Sequence, residues 1–193
     1  MKAVLLSIQP KWCEFIASGE KTVEVRKTKP KLETPFKCYI YETKDKQFEH
    51  IGVVGYRTDG TRYDFLHGTG KVIGEFICDK VIDIHCRDLT ENFRRLVSDI
   101  IAPSRLKVDK LKNYLGFRDG YGWHISDLKI YDKPKDLNEF YPYCEGECTG
   151  CKYLEWVELY GSDACMRKRI KRPPQSWCYV EQLQNEYSGG HHE

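Results

Sequence analysis

The stretch Gly19-Glu20-Lys21-Thr22-Val23-Glu24-Val25-Arg26 decides how the rest of the chain is read. Its second half alternates. Val23 and Val25 point one way, and Thr22, Glu24 and Arg26 the other, which is the period of a half-buried strand. Its first half is a stop. Pro10 fits the first turn of a helix, Trp12, Phe15 and Ile16 share one face of it, and Gly19 closes it. Lys21 follows that turn at once, and Glu24 stands three residues later on the polar side of the strand. A lysine and a glutamate converging on a cleft bind a small polar ligand, or move protons if desolvation shifts their pKa values. On an open surface the same two residues are an exposed ion pair. Glu75 poses a similar choice. It interrupts the apolar run Val72, Ile73, Phe76 and Ile77, so it faces outward or lines a polar cavity.

Working outward, residues 3–7 and 36–42 read as strands rich in β-branched and aromatic residues. Residues 71–84 form one bent strand or two, with Gly74 marking a bulge. Residues 90–101 and 104–115 have helical spacing, with Ser104 as N-cap of the second and Gly116 as its close. Residues 122–132 return to strand with a break near Ser126, and 176–183 supply a last strand. Residues 53–70 are turn-prone, through Thr58-Asp59-Gly60 and Gly68-Thr69-Gly70. Strands dominate and helices are inserted between them without regular alternation. The expected fold class is α+β, with a sheet of mixed or antiparallel strands curled into a small barrel with flanking helices.

The 193 residues carry 31 Lys and Arg against 29 Asp and Glu, a net charge of +2. That near balance excludes a histone-like polycation but leaves room for a local basic patch. Apolar residues at 40% and charged ones at 31% exclude wholesale disorder. No apolar run approaches the ~18 residues of a membrane span, and the first is too short for a signal-peptide core. The expectation is therefore a cytoplasmic protein without a membrane partner. In that reducing setting, nine cysteines read as metal ligands plus free thiols.

Composition shifts near Tyr141. Cys144, Cys148, Cys151 and Cys165 cluster there, and in Cys148-Thr149-Gly150-Cys151 the two-residue spacer lets both sulfurs reach one ion. Four thiolates suit a structural zinc, with Cys178 as the alternative to Cys144 or Cys165. An iron–sulfur cluster and free surface thiols are the competing readings. Cys13, Cys38, Cys78 and Cys86 sit in apolar contexts and read as core. Five cations, Lys21, Arg26, Lys27, Lys29 and Lys31, fall within eleven residues against Glu24 alone, and a second run extends from Arg167 through Arg169 to Arg172. Either run binds phosphate or is a solvated face. Trp12, Trp123, Trp156 and Trp177 stack on bases or fill the core.

Ser7-Ile8-Gln9-Pro10, Ile16 and the opening stretch together resemble the ASCH domain, a branch of the PUA-like superfamily. Its signature is Gly-x-Lys-x-x-Glu-x-Arg, and Gly19, Lys21, Glu24 and Arg26 fill every fixed position. Residues 72–76 are similar to the family's central barrel strand, 123–128 to a later strand, and 173–180 to a closing segment. The resemblance covers residues 2–131 and 173–183. It implies a barrel over 1–140 with a closing strand over 173–183; the cysteine-rich zinc insertion and basic segment over 141–172, read from the cysteine spacing, is no part of the minimal domain, and 184–193 reads as a disordered tail. The resemblance further implies a cleft lined by the signature that binds RNA or a modified nucleotide, with DNA as the other polymer. Lys21, Arg26, Lys27 and Lys29 would meet phosphate, Trp12 or Trp123 the base, and Arg167 and Arg169 would extend the contact. The alternative is an enzyme on the same ligands, a metal-independent ribonuclease or an acetylcytidine-type amidohydrolase. Lys21 and Glu24 or Glu75 would then be catalytic. The amidohydrolase pattern has a threonine where Glu24 stands, so this chain lacks that hydroxyl. A third reading is a protein-interaction role through the cysteine module.

Overall fold

In the computed structural model, which describes residues 1–47, 51–85, 93–116, 118–144 and 169–183, the most apolar strand becomes the pivot of the main sheet. This is β1 (Lys2–Ile8), buried from Ala3 onward on both faces. It pairs parallel with β3 (Phe36–Glu42) and antiparallel with the final strand, β10 (Trp177–Glu181). β3 pairs with β6 (Val72–Cys78), and β6 with β9 (Ser126–Lys135), giving the order β10-β1-β3-β6-β9. A second sheet has the order β2 (Val23–Arg26), β8 (Gly120–His124), β7 (Val81–Ile84). A hairpin, β4 (Gly52–Tyr56) and β5 (Arg62–Leu66), shares no ladder with either sheet, but its Tyr63 packs into the core with Leu6 and Phe76.

The two larger sheets are joined by strands that pass from one to the other. β6 becomes β7 after Asp79-Lys80, and β8 becomes β9 after Ile125. The crossings are pinned: the His124 N–H donates to the Lys80 carbonyl at 2.9 Å and the Ile125 N–H to that of Thr22 at 2.8 Å. Corners made in this way bring two sheets face to face without a continuous ladder. The α+β class holds, but the described strands form separate sheets and do not close into a barrel.

Three cores follow from strand alternation. Val4, Leu6, Cys38, Ile40, Phe76 and Trp123 lie between the sheets, together with Cys13, Ile16 and Ala17 of α1 (Pro10–Ala17). Leu5, Tyr39, Tyr41, Phe140, Ile170 and Val180 cover the outer face of the main sheet. The outer face of the small sheet meets a helical layer of α2 (Phe93–Leu96), a π turn (Val97–Ile101), α3 (Ala102–Ser104) and α4 (Val108–Leu115). Val23 and Val25 meet Ile100, Leu111 and Leu115 there.

Gly19 does close α1, with φ +80°, and Gly116 closes α4, with φ +65°. Ser104 does not cap α4. Its hydroxyl donates to the Ile101 carbonyl, so it finishes α3, and α4 starts at Val108. The turn-prone segment does turn at residues 58–60, but its flanks pair as β4 and β5. Gly55 hides that pairing in the sequence, although a glycine is needed there because a Cβ would lie 2.5 Å from the Tyr63 hydroxyl. Cys148, Cys151, Cys165, Cys86, Trp156 and Arg167 lie outside the described residues, as do the tail from 184 and most of the cysteine-rich segment. Among the described residues, no helix is long and apolar enough to cross a membrane.

The β6–β9 register shifts on both sides of Gly74, where a Cβ would lie 2.4 Å from the Lys129 carbonyl oxygen. Gly74→Ala is expected to lower the unfolding free energy by about 2 kcal/mol, through forced backbone displacement. Urea denaturation checks this. An unchanged midpoint would mean that β9 gives way freely.

Candidate ligand-binding cleft

Lys21 is 2% exposed although it carries a charge. The turn at Gly19 puts it there. The Gly19 N–H donates to Ile16 and the Lys21 N–H to Phe15, which sends the lysine side chain inward before β2 begins. Its Nζ donates to the carbonyls of Val23 at 2.9 Å and Ser104 at 3.0 Å, and pairs with Glu24 Oε2 at 3.2 Å. All three ammonium protons are thus taken. Ser104 ends α3, so the ammonium sits where a helix exposes its carbonyls. The indole of Trp12 lies beside it, with Nζ 5.3 Å from the ring centre.

Strand alternation carries Glu24 and Arg26 to the same side. Glu24 Oε1 meets Arg26 Nη2 at 3.1 Å. That nitrogen also donates to the Ser7 carbonyl at 2.9 Å, and Nη1 reaches the carbonyl and hydroxyl of Ser176 at 3.4 Å each. The Arg26 Nε is buried and has no hydrogen-bond partner among the described residues. The result is a row, Lys21–Glu24–Arg26, with one positive charge in excess and little contact with water.

This row lines a cleft of about 670 Å³ where β1 and β3 end. Gln9 and Trp12 form one wall, and Leu106, Lys110 and Tyr114 another. A strap of residues 173–176 forms a third. The strap is tied to β1: the Ser7 hydroxyl donates to the Pro174 carbonyl at 2.6 Å, and the Ser7 N–H to that of Ser176 at 3.0 Å. Lys110 has no ion-pair partner among the described residues. Burial pushes the Tyr114 hydroxyl up from its ordinary pKa, while the neighbouring Arg26 guanidinium pulls it back.

Other expected site residues lie elsewhere. Trp123 is fully buried, edge-on to Phe36 at 5.7 Å, so it fills the inter-sheet core and offers no face to a base. Glu75 does not reach Lys21. It pairs across the ladder with Tyr39 and so faces the outer side of the main sheet. There Lys37 Nζ and the Tyr131 hydroxyl donate to it at 3.0 and 2.6 Å. Burial raises the Glu75 pKa, but those two bonds outweigh it and hold the carboxyl below its ordinary value. Lys29 pairs with Asp83 at 3.2 Å on the surface, and Lys27 lies 5.3 Å from the centre of the Tyr114 ring, near the cleft rim. Arg169 donates to the Asn138 carbonyl, away from the cleft. Cys144 is a half-buried free thiol, and among the described residues no group of three or more metal-ligating side chains occurs. The cleft wall around α4 had a readable signal: Leu106, just before the helix, and Lys110 and Tyr114 on it recur at intervals of four, one position ahead of the core residues Leu111 and Leu115. Ser7 and Ser176 lay within segments that resemble the family, but nothing in their spacing pointed to the cleft.

A family model for the ASCH domain matches residues 6–182. The chain belongs to the ASCH family. Its fold is similar to the crystal structure of ASCH from Zymomonas mobilis, at 16% identity and a TM-score of 0.53, over 93% of this chain and 88% of that one. A tyrosine-to-phenylalanine mutant of that protein aligns at 16% identity and 0.54, over 94% and 92%. A serine-to-alanine mutant aligns at 15% and 0.54, over 93% and 89%. No curated protein matches the chain. In the ASCH signature of this chain, glycine makes the turn, and lysine, glutamate and arginine make the buried row.

Burial pushes the Lys21 ammonium below the ordinary lysine value of 10.5, and Glu24 pushes it partly back. Between the lowered value and 10.5, the unfolded chain binds this proton and the folded chain has shed it. The Lys21 contribution to stability therefore rises with pH across that window. In carbon-detected NMR titration, the Lys21 Cε signal should titrate below those of surface lysines, and lower still in Glu24→Gln. Titration together with the surface lysines would remove burial as the governing cause.

Proposed function

We propose that the cleft binds a phosphate-bearing ligand, single-stranded RNA or a modified nucleotide, and acts as a binding module. The observation that carries this reading is the excess positive charge of the Lys21–Glu24–Arg26 row at a cleft that also presents Trp12. A buried cation without a counter-charge is costly, and a phosphate oxygen supplies one. Trp12 offers a flat surface of the kind on which bases stack. Membership of a family generally associated with nucleic acids points the same way.

The catalytic alternative has less support. Among the described residues Glu24 is the one carboxylate in the cleft walls, and both of its oxygens hold cations. Lys21 would have to release bonds to two carbonyls and a carboxylate before taking or giving a proton.

A gel-shift assay with end-labelled single-stranded RNA tests the reading. The wild type should retard intact RNA, with affinity falling as salt rises. Lys110→Ala should flatten the log–log salt slope by about 0.7, the share of one phosphate. Trp12→Ala should weaken binding by about 1–3 kcal/mol, the worth of one stacked base. RNA cleaved by the wild type and spared by Lys21→Ala would instead make the protein a ribonuclease. Absence of both retardation and cleavage at low salt would overturn both polymer readings.

The cysteine-rich segment is part of the same proposal, as a structural zinc module held by Cys144, Cys148, Cys151 and Cys165. Support rests on the spacing of the thiols in the sequence. Elemental analysis should find about one zinc per chain in the wild type and none after Cys148→Ser with Cys151→Ser, as a site missing two of four thiolates loses its metal. Zinc-free wild-type protein purified without chelator would refute the module.

A further inference from the structure

The cleft does not end at the strap. A second cavity of about 770 Å³ adjoins it, and Thr43 and Pro173 are walls of both. Lys44 and Lys171 line this second cavity, both exposed and both without a carboxylate partner among the described residues. Its one carboxylate among the described residues, Asp136, is already paired with Lys71 at 2.9 Å. The cavity is therefore positive in charge, like the cleft beside it.

Lys44 is also placed. Gly70 has φ +69°, and a Cβ there would lie 2.6 Å from Lys44 Cγ, 2.7 Å from its Cε and 3.0 Å from the Tyr41 hydroxyl. The lysine stem thus lies flat against the bare α-carbon of Gly70. A lysine free in solvent has high rotamer entropy, and this seat removes part of it before any ligand arrives.

We propose that the second cavity is a neighbouring-nucleotide subsite, in which the backbone of a single-stranded RNA continues from the cleft past Thr43 and Pro173 onto Lys44 and Lys171. This rests on the cleft being a phosphate-binding site, as proposed above. It names the ligand class more narrowly. A free nucleotide fills the cleft and leaves Lys44 and Lys171 idle, whereas a strand uses both cavities. The adjacency of the two cavities, which share Thr43 and Pro173, and their matching charge favour a polymer over a lone nucleotide.

Fluorescence anisotropy separates the possibilities. The probe is a labelled eight-nucleotide RNA of randomised sequence, and the competitor is a mixture of the four ribonucleoside 5′-monophosphates. The wild type should bind the eight-mer more tightly than the monophosphates. Lys44→Ala with Lys171→Ala should weaken eight-mer binding and flatten its log–log salt slope by about 1.4, the share of two phosphates on a single strand. Monophosphate competition and the thermal midpoint should stay unchanged, because both lysines are exposed and outside the cleft. An unaltered eight-mer affinity and slope in the double variant, with monophosphates still bound, would overturn the subsite and leave the cleft reading standing. Equal loss of monophosphate binding would overturn it too, by making the two lysines part of the cleft itself. An acidic peptide that displaces the eight-mer from the wild type but not from the double variant would reassign the groove to a protein. If the wild type binds neither nucleotide probe, the cleft reading falls and the subsite with it.

Discussion

A lysine, a glutamate and an arginine are buried in one row, and three distant segments are held against β2 by the need to satisfy them. Removing a charge from water costs several kcal/mol unless partners replace the solvent. Here the partners are backbone carbonyls from β2, the end of α3, β1 and the strap: Val23, Ser104, Ser7 and Ser176. Each carbonyl has to stay where the ammonium or guanidinium can reach it. The row thus fixes where the helical layer meets the small sheet and where the strap crosses the end of β1. It leaves one positive charge over, so the arrangement that organises this corner of the fold also prepares it for an anion.

The row explains the spacing of the signature. Glu24 and Arg26 are two apart because a strand returns to the same face every second residue. Lys21 precedes the strand and enters from the turn at Gly19, so it approaches Glu24 from the other end. That much was legible in the octapeptide, together with α1, β1 and β3, while the choice between one bent strand and two over residues 71–84 was left to the structure, which makes two. The direction of Glu75 was not. A single sequence shows a carboxylate inside an apolar run, and only the pairing with Tyr39 shows that it faces outward. Trp123 misled in the opposite sense. Strand alternation sends it inward beside Phe36, and aromatic residues serve cores and stacking faces equally well. The separation of the described strands into distinct sheets was also unreadable, since sheet closure depends on which strands pair, and pairing is set by contacts far apart in the chain.

The net charge of +2 concealed how unevenly charge is laid out. Lys29, Lys37 and Lys71 are spent on Asp83, Glu75 and Asp136. Lys44, Lys110 and Lys171 remain without carboxylate partners among the described residues, and all three border the two joined cavities. Counting charges along the sequence emphasised the density of residues 21–31. Pairing in three dimensions shifts the emphasis to cations scattered over the chain and left over where the cavities open.

β1 begins at Lys2, and its far edge is completed by β10, which ends at Glu181. The strap that walls the cleft immediately precedes β10. On a ribosome, the first strand therefore waits with one edge unpaired until nearly all of the described chain has emerged, since strands so distant pair late. The signature residues are made early, but their enclosure comes last. A nascent chain has the sequence of the cleft long before it has the cleft.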